Sequence, residues 1–314
     1  MNPLLILNPN SHGGKTGRHA AELERDIRAR LGALDVAPTE QPRHAVTLAK
    51  RAALAGRETI LAAGGDGTIH EIVNGLMAAR DQGACDTRLG IIGQGTGGDL
   101  RRTLGLKHQL QTYLSVIEGG KTRAIDVGRF TYVDHDDQPA NAYFVNILSV
   151  GMGGLVDQYV ATLSRRLPGG AAYFVATLAA LLRSEVGRLR CRVHADGEVR
   201  EMELASRNLA ICNGRFFGSG MEVAPMAMPD DGLFHIVSLP ARSRLRFALF
   251  SRSIYAGTHV EALDVDVLHC HRIRIELDNP AIRDRFLLDV DGEPLGKLPI
   301  DVEVVPRAVD VFVP

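Results

Sequence analysis

Four residues, Gly64-Gly65-Asp66-Gly67, carry the most recognisable chemistry in this chain. Glycine accepts positive φ and lets a backbone approach a ligand closely. The apolar run Ile60 to Ala63 just before them reads as the end of a buried strand. Thr68 and Glu71 have the spacing of a capping box, which predicts a helix starting here. Ile72, Val73, Leu76 and Met77 continue it with helical period. A strand, a glycine turn and a helix N-terminus together make an anion site, because free N–H groups and the positive helix end point the same way. Asp66 is then the odd member, since a carboxylate repels phosphate. A divalent cation between them removes the conflict. The residues therefore point to a nucleotide phosphate with Mg²⁺, or else to a tight turn whose aspartate only bonds backbone.

Other turns carry related chemistry. Asn8-Pro9-Asn10-Ser11-His12-Gly13-Gly14-Lys15-Thr16 ends like a P-loop, but Pro9 stands where the first Walker glycine belongs. A glycine turn with a lysine ahead of a helix still suits phosphate. Gly93-Gln94-Gly95-Thr96-Gly97-Gly98-Asp99-Leu100 matches G-x-G-x-x-G, yet it lies well past the first βα unit, where a dinucleotide fold keeps that pattern. Phe216 and Phe217 sit among glycines, as a loop beside a ligand would. Asp230-Asp231-Gly232 reads as a metal-bearing turn or an Asx turn. Asp291-Gly292-Glu293 reads as a hairpin, or as a general base with a metal-directed carboxylate. Asp134, Asp136 and Asp137 read as solvated acids in a polar turn, Tyr132 to Ala140.

The elements that must position these turns alternate in the first part of the chain. Leu4–Leu7 and Arg88–Ile92 read as buried strands, and the segments around Leu23, Thr47–Ala55 and Leu110–Ile117 as helices. Glycine turns at successive strand ends imply a parallel sheet with its site at that edge. Past Gly128 the pattern becomes mostly strands and turns, Ala142–Val150, Leu189–Ala195, Val199–Leu204 and Leu209–Cys212, which reads as an antiparallel β domain. A helical insert, about residues 155 to 190, holds the apolar run Ala171–Leu182 between Arg165, Arg166, Arg183, Arg188 and Arg190. It packs on the sheet or rests on a membrane surface, and Arg242–Arg252 offers a second such segment.

Composition narrows the class. A net charge of -1 gives no global field toward nucleic acid or anionic lipid. Cys85, Cys191, Cys212 and Cys270 form no C-x-x-C and fit reduced thiols in a cytosol. His269-Cys270-His271 reads as strand rather than metal site. The N-terminus is too short and uncharged for a signal peptide. Twelve helical residues span roughly 18 Å against roughly 30 Å of hydrocarbon, so no transmembrane segment is expected.

In this order, Asn8-Pro9 with its Gly/Lys turn, Gly64 to Thr68, Gly95 to Leu100, Asn213 to Gly232, and Asp291-Gly292-Glu293 resemble the bacterial lipid kinases of the diacylglycerol kinase catalytic-domain family, over nearly the whole chain. Two positions depart from the pattern: Gly98 stands where asparagine is usual, and His235 where an acid is frequent. The resemblance implies an α/β plus all-β fold. Residues 1–128 would form a three-layer α/β ATP-binding domain, completed by 301–314. Residues 129–300 would form an antiparallel β-sandwich for the lipid, with the cleft between the two. It implies that Gly64, Gly65, Gly67 and Thr68 hold ATP phosphates, with Asn8, Lys15, Gly95 and Thr96 among the nucleotide contacts. Asp66 and Asp99 would act through Mg²⁺ and water. Asp291 would take the acceptor hydroxyl's proton, with Glu293 in the same acidic network. Asp231 and Leu233 would hold a second, structural Mg²⁺. The implied protein is a cytoplasmic kinase of lipid metabolism, peripheral at the inner membrane face, with a diacylglycerol-like acceptor and a homodimer among its open oligomeric states. The rivals are an NAD kinase, which shares a G-G-D-G loop, and a non-catalytic nucleotide or lipid sensor.

Overall fold

A computed structural model describes residues 2–84, 86–95, 97–163, 176, 179–240, 250 and 252–314. The chain divides into two compact units: residues 1–127, 229–231 and 305–314, and residues 128–228 and 232–304.

The first unit begins with β1 (Leu4–Leu7), α1 (Ser11–Arg18), α2 (Ala20–Leu31), β2 (Asp35–Pro38), α3 (His44–Leu54), β3 (Thr59–Gly64) and α4 (Asp66–Arg80). It continues with β4 (Arg88–Gly93), α5 (Asp99–Thr103), α6 (Leu110–Gly119) and the start of β5 (Thr122–Val133). The parallel sheet runs β2-β1-β3-β4, and Asp310 and Val311, near the C-terminus, add a further parallel strand beside β4. β3 is buried at every residue, as its unbroken apolar run requires of a strand covered on both faces. The order reverses between β1 and β3, so a crevice opens beyond their carboxyl ends, where open α/β sheets take ligands.

Three expectations are corrected here. α4 starts at Asp66, not after Thr68, and Glu71 caps no helix of its own. Its carboxylate accepts the backbone N–H groups of Arg43 and Ala45 instead, and so closes the start of α3. The Gly13-Gly14 turn lies inside α1, where His12, Gly13 and Gly14 take left-handed φ of 54°, 62° and 79° in succession. β2 is a strand that no apolar run announced.

The second unit is antiparallel. After β5 come β6 (Pro139–Phe144), β7 (Ile147–Gly151), α7 (Met152–Leu163), β8 (Gly187–Ala195), β9 (Glu198–Cys212), β10 (Phe216–Phe217) and β11 (Met221–Glu222). Then follow β12 (Phe234–Pro240), β13 (Asp266–Cys270), β14 (Arg272–Leu277), β15 (Leu287–Val290) and β16 (Lys297–Phe312), whose last residues belong to the first unit. One set of strands pairs in the order β13-β12-β9-β7-β15, and the other in the order β9-β8-β14-β16. Leu189, Cys191, Ile273, Ile275 and Ile300 from the second set share one core with Leu148, Val150, Ile211, Phe234 and Leu288 from the first. That is a sandwich built on two-residue alternation. The other face of β7, β9 and β12 is buried as well, where Ile147, Ala210, Cys212 and Val237 meet Val223, Phe250 and Ile254.

The expected strand Ala142–Val150 is two strands, broken at Val145-Asn146. Val199–Leu204 and Leu209–Cys212 are one strand, β9. Cys270 ends β13 rather than lying inside a strand. Of the apolar run Ala171–Leu182, residues 171–175, 177 and 178 lie outside the described residues, as do Arg165, Arg166, Cys85, and positions 242–249 and 251 of the second arginine segment. Among the described residues no helix is long and apolar enough to cross a membrane.

Candidate active site

In the first unit, the loops after β1, β3 and β4 are tied together by hydrogen bonds. Asn8 Nδ2 donates to Thr68 Oγ1 at 3.1 Å, joining the loop after β1 to the first turn of α4. Gln94 N donates to the Gly64 carbonyl at 2.8 Å. A Cβ on Gly64 would lie 2.3 Å from Thr68 Oγ1, and one on Gly95 would lie 2.7 Å from the Gly65 Cα. Both positions are closed to any larger residue, so the glycines here serve close approach.

Asp66 is half-buried and reaches across to the loop after β4. Its Oδ2 accepts Gly98 N at 2.7 Å, and its Oδ1 accepts Asp99 N at 3.1 Å. One carboxylate thereby fixes the entry of α5. Gly98 is left-handed, with φ of 65°. Asparagine also enters that region more readily than other side-chain residues, so the backbone conformation suits either residue at this position. Asp99 is 6% exposed, and its carboxylate holds Arg102 Nη1 at 2.7 Å. Lys15 is exposed and has no ion-pair partner among the described residues. Gly67 and Thr68 sit in the first turn of α4, and Thr96 lies outside the described residues.

Mg²⁺ at nucleotide sites keeps several waters and takes one or two carboxylates plus phosphate oxygens. Asp66 fits that donor set, being a carboxylate held rigidly at a helix N-terminus. Asp99 fits it less well, because the Arg102 guanidinium already neutralises its charge. Among the described residues no three His, Cys, Asp or Glu side chains gather as a metal cage. A Mg²⁺ at this edge would draw the rest of its shell from nucleotide and water. Asp231 is half-buried in the first unit, and Leu233 is half-buried in the second. Gly232 between them is left-handed.

No motif marks Tyr113, Arg101 and His108, yet their side chains interact near these loops. Tyr113 is 2% exposed, and its hydroxyl meets His108 Nδ1 at 2.8 Å. Burial pushes the phenol up to about 12, with Arg101 pulling it down and Asp66 adding to the rise. Tyr113 therefore stays a neutral hydroxyl beside Asp66.

In the second unit, Asp291 and Gly292 have φ of 54° and 89°, and Val290 and Glu293 exchange backbone hydrogen bonds. Asp291-Gly292 is thus a two-residue hairpin turn with both central residues left-handed. The Asp291 side chain nevertheless points inward and is 7% exposed. Its Oδ2 accepts Val145 N at 2.9 Å, and its Oδ1 accepts Asn146 N at 2.9 Å and Ile147 N at 3.0 Å. This explains the break between β6 and β7: three donors that would have joined a ladder are gathered by one carboxylate. Asn146, 5% exposed, sends its Nδ2 to the Phe216 carbonyl, and Asn213 Nδ2 bonds the Val145 carbonyl. The loop bearing Phe216 is thereby fixed to the same spot. Glu293, two residues on, is exposed.

Residues 2–130 match the diacylglycerol kinase catalytic domain, and residues 146–313 match the YegS C-terminal NAD kinase beta sandwich-like domain. A probable lipid kinase, YegS-like, from Yersinia enterocolitica is 27% identical over 99% of this chain and 96% of its own length. A diacylglycerol kinase from Mycobacterium tuberculosis is 30% identical over 82% of this chain and 78% of its own. Among solved structures, a diacylglycerol kinase from Bacillus anthracis superposes with a TM-score of 0.70 at 21% identity, covering 100% of this chain and 97% of that one. Yeast NADH kinase superposes with a TM-score of 0.54 at 13% identity, covering 100% and 83%. The last two show likeness of fold.

Proposed function

This chain belongs to the diacylglycerol kinase catalytic-domain family of lipid kinases, and from that premise we propose that it transfers the γ-phosphate of ATP to the hydroxyl of a diacylglycerol-like lipid. It is a phosphotransferase with an alcohol acceptor. The observation that carries the nucleotide half is the Asp66 carboxylate clamping the N–H groups of Gly98 and Asp99, which holds two glycine loops at the carboxyl edge of a parallel sheet.

Phosphoryl transfer needs in-line placement and neutralised charge more than covalent help. The first unit offers placement through Gly64, Gly65, Gly67, Thr68, Gly95 and Asn8. A bound Mg²⁺ would neutralise phosphate charge beside Asp66, and Lys15 of α1 is exposed to add to it. In the second unit, hydrogen-bond accounting favours different roles for the two carboxylates of Asp291-Gly292-Glu293. A carboxylate has roughly four acceptor positions, and Asp291 gives three of them to backbone. We therefore assign the proton-accepting role to Glu293 and make Asp291 the group that positions the turn bearing it. The acceptor reaches the enzyme at a membrane surface, to which the chain binds peripherally.

Labelled ATP incubated with extracted bacterial lipids, with NAD, and with no acceptor tests the reading. Label in diacylglycerol or a related lipid hydroxyl is the expected result. Label in NAD, or nucleotide binding without turnover of any acceptor, would overturn it.

A further inference from the structure

Building on the nucleotide reading of the first unit, we propose that Arg101 contacts a nucleotide phosphate, with its guanidinium seated on the bare face of Gly98. A Cβ at Gly98 would lie 2.7 Å from Arg101 Nε and 3.2 Å from Nη2. The space a side chain would fill at position 98 is thus occupied by the guanidinium. Its stem runs along the end of β4, with Cδ 3.6 Å from where a Gly93 Cβ would be. Nη1 is pinned by the Leu106 carbonyl at 2.6 Å, so the planar group is held rather than waving in solvent.

The neighbouring arginine has a different fate. Arg102 is committed to the Asp99 carboxylate and the Gly97 carbonyl. Arg101 is half-buried, and among the described residues no carboxylate pairs with it. A half-buried cation without a counter-charge is stabilised by an anionic ligand, and a fixed guanidinium presents donors matched to phosphate oxygens. The surroundings are basic as well. Burial first, then the charges of Arg101, His12 and Arg102, hold His108 below its ordinary value. His12 of α1, Arg101 and Arg102 of α5 and His108 before α6 therefore share one neighbourhood, with Asp66 and Tyr113 beside Arg101. The absence of a side chain at Gly98 is what admits Arg101 there.

The test uses the full chain with Mg-ATP, Mg-ADP and adenosine as probes, each titrated by calorimetry, with thermal unfolding run in parallel. Arg101→Gln should weaken ATP binding about 10- to 100-fold, as loss of a charged hydrogen bond predicts. It should weaken ADP less, leave adenosine within about twofold, and keep the unfolding midpoint. Arg101→Lys should recover part of the ATP affinity. Unchanged ATP affinity in Arg101→Gln overturns the assignment. Equal losses for ATP and adenosine with a lowered midpoint overturn it too, and reduce Arg101 to a tie on Leu106. Wild-type protein that binds none of the three probes rejects the kinase reading itself, a result separable from both.

Discussion

A buried carboxylate that gathers three backbone N–H groups has a structural duty whatever its chemistry. Removing Asp291 leaves the donors of Val145, Asn146 and Ile147 unpaired at the break between β6 and β7. Each such donor costs about 1–3 kcal/mol. Asp291→Ala is expected to lower both turnover and the urea midpoint, with stability falling by several kcal/mol. Glu293→Gln is expected to lower kcat by about 10²–10⁴ with stability within about 0.5 kcal/mol. Steady-state kinetics beside urea denaturation separates the two, and full turnover in Glu293→Gln would remove it from the role. His259 supplies a pH prediction. It is 1% exposed, and its Nε2 lies 3.0 Å from the Val223 carbonyl. Burial holds its imidazole below the ordinary value, against the opposing pull of Val223, Ser253 and Glu222. As pH falls through about 6.5 the unfolded chain takes up a proton that the folded imidazole refuses, so stability drops between about pH 7 and 5 and is unaffected above. Urea midpoints at pH 7.5 and 5.5 should diverge less in His259→Gln than in the wild type; an identical divergence would acquit His259. At this scale the sequence located the acidic residues but could not divide their labour. D-G-E reads alike as hairpin and as acid pair, and the three donors at the β6–β7 break, far off in the chain, are invisible to a local reading.

Elements were readable where one period dominated. α2, α6 and β3 follow their apolar spacing because each buries one stripe or both faces. The failures share a cause, a distant partner overriding a local signal. Thr68 and Glu71 look like a cap, yet Glu71 serves α3 and Thr68 receives Asn8. Ala142–Val150 looks continuous because Val145 is apolar, and its break is imposed by Asp291. The loop pairing after β3 and β4 can be tested by contrast. An added Cβ on Gly95 would meet the Gly65 Cα at 2.7 Å, whereas one on Gly65 would meet the Gly95 Cα at an ordinary 3.4 Å. Overpacking against backbone costs about 1–3 kcal/mol. Gly95→Ala should therefore lower the thermal midpoint by about 2–12 °C and Gly65→Ala by much less. Equal midpoints for the two variants would show that the loops are free to separate.

At the scale of the molecule, the division into units does not follow the chain. Residues 305–314 belong to the first unit although they end a strand that starts in the second. Asp310 and Val311 pair with Arg88 and Leu89 of β4, Val313 N donates to the Lys121 carbonyl, and Arg80 Nη1 holds the Ala308 carbonyl. Val309, Val311, Phe312 and Val313 are all buried. Deleting residues 305–314 would uncover the edge of β4, an open template for wrong pairing. It would also strip four apolar side chains from the core at about 1.5–3 kcal/mol each. That loss is comparable to the whole stability of an ordinary domain, about 5–15 kcal/mol. A chain stopped after Val304 is therefore expected to lose cooperative unfolding of its first unit and to aggregate. Circular dichroism melts of the truncated and full chains, read with and without Mg-ATP, check this. A truncated chain that melts at the full-length midpoint and keeps its ATP-induced shift would mean that the first unit stands without its returning strand.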